Sequence, residues 1–209
     1  MFHDRIEAGL LLVKKLRKYK SENCVILGVP RGGIPVAYIV ATELDLPLDI
    51  ILTRKIGHPR NKEYAIGAAS LNNYFIEEEG YVSTEYIKEE VREVQKRLNE
   101  MKVKFKGKQA DVILQGKVVI IVDDGVATGN TLLAAIRLLR ESNPAKIIVA
   151  VPVASNSAVE KISKEADEVI TIIVPYEFHG VGQFYETFET VSDDEVTEYL
   201  NKINNPIKQ

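Results

Sequence analysis

Short apolar runs alternate with amphipathic stretches along most of the chain. Four runs are almost continuously apolar, which is typical of strands that a parallel sheet buries on both faces. They are VIL from Val25, VVIIV from Val118, AKIIVAVPVA from Ala145 and DEVITIIVP from Asp167. The run LDIILTRK, from Leu48 to Lys55, predicts a further strand.

Between these runs, apolar residues recur three or four positions apart, as on one face of an amphipathic helix. The spacing predicts helices over Phe2–Lys20, up to about Leu44, from Ser83 or Thr84 to about Lys104, after residue 130, over Ser155–Ala166 and over Asp193–Ile203. Strands that alternate with helices favour an α/β fold, with an open, mostly parallel twisted sheet and helices on both faces. In such folds, ligands bind beyond the carboxyl ends of the strands.

Two segments show neither a continuous apolar run nor the spacing of an amphipathic helix. The segment Ile56–Glu79 is polar at first, and its second half, AASLNNYFIEEE, is compatible with a hairpin around an Asn-Asn turn. Residues 176–192 are irregular and aromatic. Because the chain has no internal repeat, low-complexity tract or linker, we predict a single domain over residues 1–209.

Composition narrows the class of protein. Of the 209 residues, 45% are hydrophobic and 27% charged, and the formal net charge is −3, so no overall positive field favours nucleic acid. No apolar run approaches the roughly 18 residues of a membrane span, and the first ten residues lack the basic start of a secretory signal. A single cysteine excludes an internal disulfide. We therefore expect a cytoplasmic protein that binds neither nucleic acid nor membrane.

The strand that starts at Val118 ends in two adjacent acids, Asp123 and Asp124, and the loop GVATGNT leads into a helix. A helix N-terminus and a glycine-containing loop can bind phosphate through backbone N–H groups, without lysine. The acids would repel that phosphate unless a sugar separates them, since carboxylates accept hydrogen bonds from vicinal hydroxyls. The pattern therefore predicts a sugar phosphate; the alternative is an ordinary turn and helix cap. Neither a Walker loop nor a dinucleotide fingerprint fits this spacing.

The stretch VIIVDDGVATGNT resembles the phosphoribosyl pyrophosphate (PRPP) signature of the type I phosphoribosyltransferases. This resemblance implies a Mg²⁺-dependent transferase that moves 5-phosphoribosyl from PRPP to a nitrogenous base or related acceptor and releases pyrophosphate, as in nucleotide salvage. It also implies a homodimer, a flexible loop at about residues 55–80 and a small C-terminal hood at about 175–192. The segment VGQFYETF resembles an uncharacterised prokaryotic branch of the family that shares a P-R-G-G loop.

The resemblance assigns roles to the individual residues of three loops. Asp123 and Asp124 would be catalytic residues whose carboxylates hold the ribose hydroxyls. The 5′-phosphate would lie on Ala127, Thr128, Gly129, Asn130 and Thr131. Pyrophosphate would lie on Pro30, Arg31, Gly32 and Gly33, with Lys55 from the basic segment, and Arg31 and Lys55 would be catalytic as well. Magnesium would be held through PRPP and water, with Asp123 or Asp124 as protein ligands.

Each of these assignments has a simpler alternative. The P-R-G-G loop, for which the family suggests a non-proline cis peptide, could be an ordinary strand-to-helix turn with a surface arginine. The basic segment that contains Lys55 could be a solvated loop. Aromatic residues could form a hood that stacks on the acceptor base, or a small core that anchors the last helix. The hood candidates are Tyr176, Phe178, Phe184 and Tyr185.

The residue at position 127, an alanine, limits which base could serve as the acceptor. The hypoxanthine–guanine members of the family carry an aspartate at the matching position, so we expect a different acceptor, whose identity stays open. Two other functions are compatible with the resemblance: a PRPP-binding regulator without catalysis, and a pyrophosphokinase that makes PRPP. The regulators that bind DNA carry an added domain, yet some twenty residues precede the first strand here, and pyrophosphokinases usually have two such domains.

Overall fold

Five of the predicted strands form one sheet, in which every strand runs parallel to its neighbours. The computed structural model describes residues 1–77 and 82–204. The sheet comprises β1 (Cys24–Gly28), β2 (Leu48–Ile50), β6 (Val118–Val122), β7 (Lys146–Val153) and β8 (Glu168–Ile173), in the order β2-β1-β6-β7-β8. The order places β1 and β6, which precede the two candidate loops, side by side.

Helices cover both faces of this sheet. The two faces pack into two separate hydrophobic clusters, because side chains of successive strand residues point to opposite faces. Ile26 and Ile120 belong to the first cluster, and Val25 and Val119 belong to the second. The first face carries α1 (Arg5–Leu16), α2 (Gly33–Leu44), α3 (Thr84–Lys106) and α6 (Asp193–Asn204). The second face carries α4 (Asn130–Arg140) and α5 (Asn156–Ile162). The predicted α/β architecture is therefore confirmed. Burial of each Val or Ile side chain in these clusters contributes roughly 1.5–3 kcal/mol to the stability of the fold.

The first helix is shorter than predicted. Asp4 caps it, with Oδ1 accepting the N–H groups of Ile6 and Glu7 at 2.9 Å each, so α1 begins at Arg5. Phe2 lies outside the helix and bridges to Tyr185, and its N–H donates to the carbonyl of Phe184 at 2.7 Å. The start of the chain is therefore attached to the aromatic segment near its end.

The predicted strand LDIILTRK is divided between two sheets. β2 ends at Ile50, and Arg54 begins a three-stranded antiparallel sheet of β3 (Arg54–His58), β4 (Asn61–Ala69) and β5 (Tyr74–Ile76). The β4–β5 hairpin is confirmed, although its turn centres one residue earlier than the Asn-Asn pair, with the N–H of Ser70 donating to the carbonyl of Asn73 at 2.8 Å.

The segment expected to be a flexible loop is therefore mostly strand. Ile56 of β3 and Ile66 of β4 are both completely buried, which fixes this small sheet against the core. The last part of the expected loop, residues 78–80, lies outside the described residues. Within residues 1–77 and 82–204, no helix combines the length and apolar character that crossing a bilayer requires.

A buried ion pair fixes the end of α3 to β2. The Nζ of Lys106 lies 2.6 Å from Oδ1 of Asp49, and both side chains are under a tenth exposed. Asp49 also accepts the N–H groups of Ile50 at 2.7 Å and Val112 at 3.0 Å, and Asp111 contacts Lys106 at 3.0 Å. Loss of Lys106 would leave the charge of Asp49 buried without a cationic partner, with only backbone N–H groups to compensate it.

We therefore expect Lys106→Met to lower the free energy of unfolding by about 3 kcal/mol. The double variant Lys106→Met/Asp49→Asn should regain part of this loss, because no unpaired charge remains. Urea denaturation measures both values. Lys202→Met, which removes an exposed pair with Glu198, is the control and should change stability by less than about 0.5 kcal/mol. Equal effects at positions 106 and 202 would contradict the interpretation.

Candidate functional site

The loops that follow β1 and β6 meet at one edge of the sheet. Gly28 and Val122 are register partners at the ends of these strands, and the N–H of Val29 donates to the carbonyl of Val122 at 2.9 Å. The P-R-G-G loop and the acidic loop are therefore in direct contact, at the carboxyl ends of the strands where the sequence predicted a ligand site.

Gly32 and Gly33 permit this contact because they have no side chains. A Cβ on Gly32 would lie 2.1 Å from Oδ2 of Asp124, and one on Gly33 would lie 2.8 Å from the carbonyl oxygen of Val122. Both distances are shorter than real contacts allow. The peptide bond between Pro30 and Arg31 is cis, as hypothesised. The two glycines thus have a steric role beside the acids that the ordinary-turn alternative does not require.

The acidic pair is crowded and poorly solvated. Oδ1 of Asp123 accepts the N–H of Asp124 at 2.9 Å. Burial raises the pKa of Asp123 well above its ordinary value, and the charge of Asp124 raises it further. Burial also raises the pKa of Asp124, while Arg5 opposes that rise. A ligand that donates hydrogen bonds to these carboxylates would offset their lost hydration.

Arg5 is a site residue that sequence reasoning missed. Its Nε and Nη2 each lie 2.9 Å from Oδ2 of Asp124, and Nη1 donates to the carbonyl of Glu189 at 2.8 Å. The guanidinium also lies 4.0 Å from the centroid of the Phe188 ring. No local signal marks this role, because Arg5 lies in the first turn of a helix, far from Asp124 in sequence.

The predicted phosphate loop leads into the N-terminus of α4. Gly129, with φ of +78°, precedes Asn130 and has no side chain to cap the first N–H groups of the helix. Bonds on the other side hold the loop, since the N–H of Val126 donates to Val153 at 2.9 Å and Ser155 Oγ donates to the carbonyl of Ala127 at 2.6 Å. The exposed loop residues are Ala127, Thr128, Asn130 and Thr131. A fixed loop with open N–H groups suits an anion.

The two basic side chains predicted to bind pyrophosphate are both paired with acids. Arg31 bonds to Asp193, the first residue of α6, which also accepts Lys104 at 2.6 Å. Lys55 lies in β3, not at the end of the second strand, and bonds to Oε2 of Glu63 at 2.7 Å.

A cavity of about 680 Å³ lies between the small sheet and α4, and Lys55, Asn130 and Thr131 are among its lining residues. The fold therefore brings Lys55 close to the phosphate loop. The side chain of Arg31 bonds instead to Asp193 at the start of α6.

Tyr185 has a different place from the one predicted for a base-stacking residue. It is 5% exposed, and its hydroxyl donates to the carbonyl of Asp124 at 2.6 Å. Burial raises the pKa of Tyr185, so the hydroxyl stays protonated as a donor. Its ring stacks on Phe188 at 4.9 Å between centroids. Tyr185 thus supports the acidic loop, as part of the small aromatic core that the sequence left as an alternative.

The other hood candidates differ in exposure. Tyr176 is 97% exposed, whereas Phe178 and Phe184 form a tilted pair with centroids 5.6 Å apart. Val181, from the same segment, covers the acidic loop, because a Cβ on Gly125 would lie 2.5 Å from its Cγ1. The segment after β8 therefore packs directly against the candidate site.

The family model described as phosphoribosyl transferase domain matches residues 4–186. This chain belongs to that family. It is 34% identical over 211 residues to a Mycobacterium tuberculosis protein provisionally named a phosphoribosyl transferase, across 97% of this chain and 47% of the relative. Nearly all of this chain is thus aligned, but it spans only about half the length of these curated relatives.

A solved structure and a shorter match extend the comparison. The crystal structure of TT1426 from Thermus thermophilus is 36% identical, with a TM-score of 0.87 across 96% of this chain and 97% of that one. A ribose-phosphate pyrophosphokinase of Pyrococcus abyssi is 36% identical over 78 residues, or 36% of this chain and 27% of its own length. The likeness to TT1426 thus extends across the fold, whereas that to the pyrophosphokinase is confined to a segment.

The acidic pair generates a prediction about stability without ligand. Because folding raises the pKa of Asp123, its ionisation costs stability as the pH rises above the ordinary carboxyl value. Asp123→Asn keeps an acceptor for the Asp124 N–H and removes that cost. We expect it to raise the melting temperature at pH 8 by about 2–4 °C, and to have little effect near pH 3, where the wild-type carboxyl is largely protonated in both states.

Thermal unfolding in EDTA at both pH values measures this difference. The control is Glu160→Gln, at an exposed position on α5, which should leave the melting temperature unchanged at both pH values. A shift for Asp123→Asn that is equal at pH 3 and pH 8 would show that the burial of charge is not its cause.

Proposed function

We propose that this chain binds PRPP and transfers its 5-phosphoribosyl group to a nitrogenous base or related acceptor, with release of pyrophosphate. One observation carries the proposal: the partly buried pair Asp123 and Asp124 lies directly before an exposed loop at the N-terminus of α4. This arrangement offers carboxylates to hydroxyl groups and backbone N–H groups to a phosphate within one short loop, as a ribose 5-phosphate requires.

The 5′-phosphate would lie on residues 127–131. The N–H groups of the first turn of α4 and its dipole favour the negative charge there, and the hydroxyls of Thr128 and Thr131 add donors. The ribose hydroxyls would donate to Asp123 and Asp124. These bonds would replace the water that burial has removed from both carboxylates.

Pyrophosphate would lie against the loop of residues 30–33. Arg31 and Lys55 would then exchange Asp193 and Glu63 for phosphate oxygens. In the reaction, the bond between the anomeric carbon and pyrophosphate breaks, and pyrophosphate leaves with the electron pair. A nitrogen lone pair of the acceptor forms the new bond, and the acceptor loses a proton to solvent. Cations at the leaving group stabilise its developing charge.

Magnesium fits this site as an ion that arrives with PRPP. No group of three acidic, cysteine or histidine side chains that could hold a metal occurs among residues 1–77 and 82–204. The ion would therefore take most of its ligands from pyrophosphate and water, with Asp123 or Asp124 supplying the protein oxygens. It would neutralise charge on the leaving group.

The acceptor remains open within the class of nitrogenous bases and related amines. Ala127 offers no carboxylate to a base, so we propose an acceptor other than the 6-oxopurines. A single domain over residues 1–209, a nucleotide-salvage role, a cytoplasmic location and a homodimer also belong to the proposal, and they rest on the composition and the family resemblance.

One observation favours a second candidate function, a PRPP-binding protein without turnover. Both cations proposed for pyrophosphate already have carboxylate partners, and the Arg31–Asp193 contact joins the pyrophosphate loop to α6. If these pairs persist when PRPP binds, the leaving group lacks its protein cations and the ligand is held without reaction.

Binding and turnover separate the two candidates. We expect PRPP with Mg²⁺ to raise the melting temperature, because a ligand that binds the folded state stabilises it. A panel of purines, pyrimidines and simple amines, followed by pyrophosphate release, should reveal the acceptor. No thermal shift at saturating PRPP would reject both functions, whereas a shift without pyrophosphate release for any acceptor would favour the binding protein.

The double variant Asp123→Asn/Asp124→Asn tests the ribose contacts. Each lost charge-assisted hydrogen bond contributes about 1.5–3 kcal/mol, so loss of two should lower the affinity for PRPP by at least about 100-fold, measured by calorimetry. Affinity for inorganic phosphate should persist, since it depends on residues 127–131. Glu160→Gln again provides the control. Unchanged affinity for PRPP in the double variant would remove the acids from the site.

A further inference from the structure

We propose that Arg5, at the start of α1, is a positioning residue for the ribose: it fixes Asp124 through one carboxylate oxygen and leaves the other to accept a ribose hydroxyl. The inference rests on the proposed function, since it assigns Arg5 a role at the same site. It concerns a residue about 120 positions away from the acids, on an element with no predicted part in the chemistry.

The ion pair is asymmetric. Nε of Arg5 donates to Oδ2 of Asp124, Nη2 lies 2.9 Å from the same oxygen, and the contacts with Arg5 do not involve Oδ1. The third donor group, Nη1, bonds to the carbonyl of Glu189 and orients the guanidinium plane from its far side. A planar guanidinium that donates hydrogen bonds from both Nε and Nη1 defines the direction of its partner more closely than a single ammonium would.

Asp124 is held by its backbone as well as by its side chain. The contacts form a closed ring: the Asp124 carboxylate bonds to Arg5, Arg5 lies over the Phe188 ring, Phe188 stacks on Tyr185, and the Tyr185 hydroxyl donates to the Asp124 carbonyl. This ring, which we call the Asp124 clamp, joins α1, the segment after β8 and the acidic loop. It adds directional contacts to a carboxylate that Gly32 otherwise only confines by close packing.

Burial distinguishes Arg5 from the other cations near the site. The side chains of Arg5 and Asp124 are only 12% and 13% exposed, whereas those of Arg31 and Lys55 are 52% and 46% exposed. Exposed ion pairs contribute little, while a buried hydrogen-bonded pair holds its geometry. Arg5 therefore acts on the predicted ribose acid, and the exposed cations stay available for other partners.

The phosphate loop does not depend on the clamp. Val126 bonds to β7, and the carbonyl of Ala127 accepts Ser155 at the start of α5. Loss of Arg5 should therefore weaken ligands that contain ribose and spare inorganic phosphate. A purely structural role for Arg5 would weaken both ligands alike or neither.

The experiment compares Arg5→Met with Arg5→Lys, and uses Lys14→Met on an exposed position of the same helix as the control. Calorimetry measures the Kd of ribose 5-phosphate, and a phosphorus NMR titration measures that of inorganic phosphate. We expect Arg5→Met to raise the Kd of ribose 5-phosphate about tenfold, Arg5→Lys to give an intermediate value, and neither to change phosphate binding. Lys14→Met should match the wild type for both ligands.

The outcomes separate this inference from the function on which it rests. If wild-type protein binds no ribose 5-phosphate, the proposed function fails. If wild type binds it and Arg5→Met binds it equally well, or loses both ligands to the same degree, the positioning role is overturned and the function stands. Should Arg5→Met not fold, Arg5→Lys decides, since a selective loss of ribose 5-phosphate affinity supports the role and an unchanged ratio of affinities overturns it.

Discussion

Two neighbouring carboxylates at the end of a buried strand are the constraint on which the arrangement of this site depends. Asp123 and Asp124 lie where β6 leaves the core, so neither has full access to water, and burial raises the pKa of both. Charge in such a place must be compensated by hydrogen bonds or by opposite charge. The surrounding structure supplies that compensation only in part, through one arginine and one backbone N–H.

The neighbouring residues are adapted to this pair. Gly32 and Gly33 bring the adjacent loop against the acids where any side chain would collide. Tyr185 fixes the backbone of Asp124, and Arg5 fixes its side chain. A protein selected for stability alone would not retain two crowded acids there, so the incomplete compensation is better explained by a ligand that completes it.

The phosphate loop proposed at the same edge would recognise an anion by a different physical rule. The loop before α4 offers backbone N–H groups and a helix dipole, which need no charged side chain. The cations at the edge, Arg31 and Lys55, are paired with acids on other elements. The candidate site thus combines a fixed backbone loop with charged side chains that could exchange their carboxylate partners for a ligand. Such an arrangement suits a substrate that keeps one phosphate group and loses another as the leaving group.

The sequence by itself determined the layers of the fold and the two loops that matter most. Continuous apolar runs predict buried parallel strands because side-chain period and burial are local properties, and the acids and glycines of the loops are adjacent in the chain. Only the tertiary structure decided that the strand from Leu48 ends at Ile50, that Tyr185 is buried, and that Arg5 reaches Asp124. These outcomes depend on contacts between residues far apart in sequence, and no local pattern encodes which distant group will neutralise a buried charge.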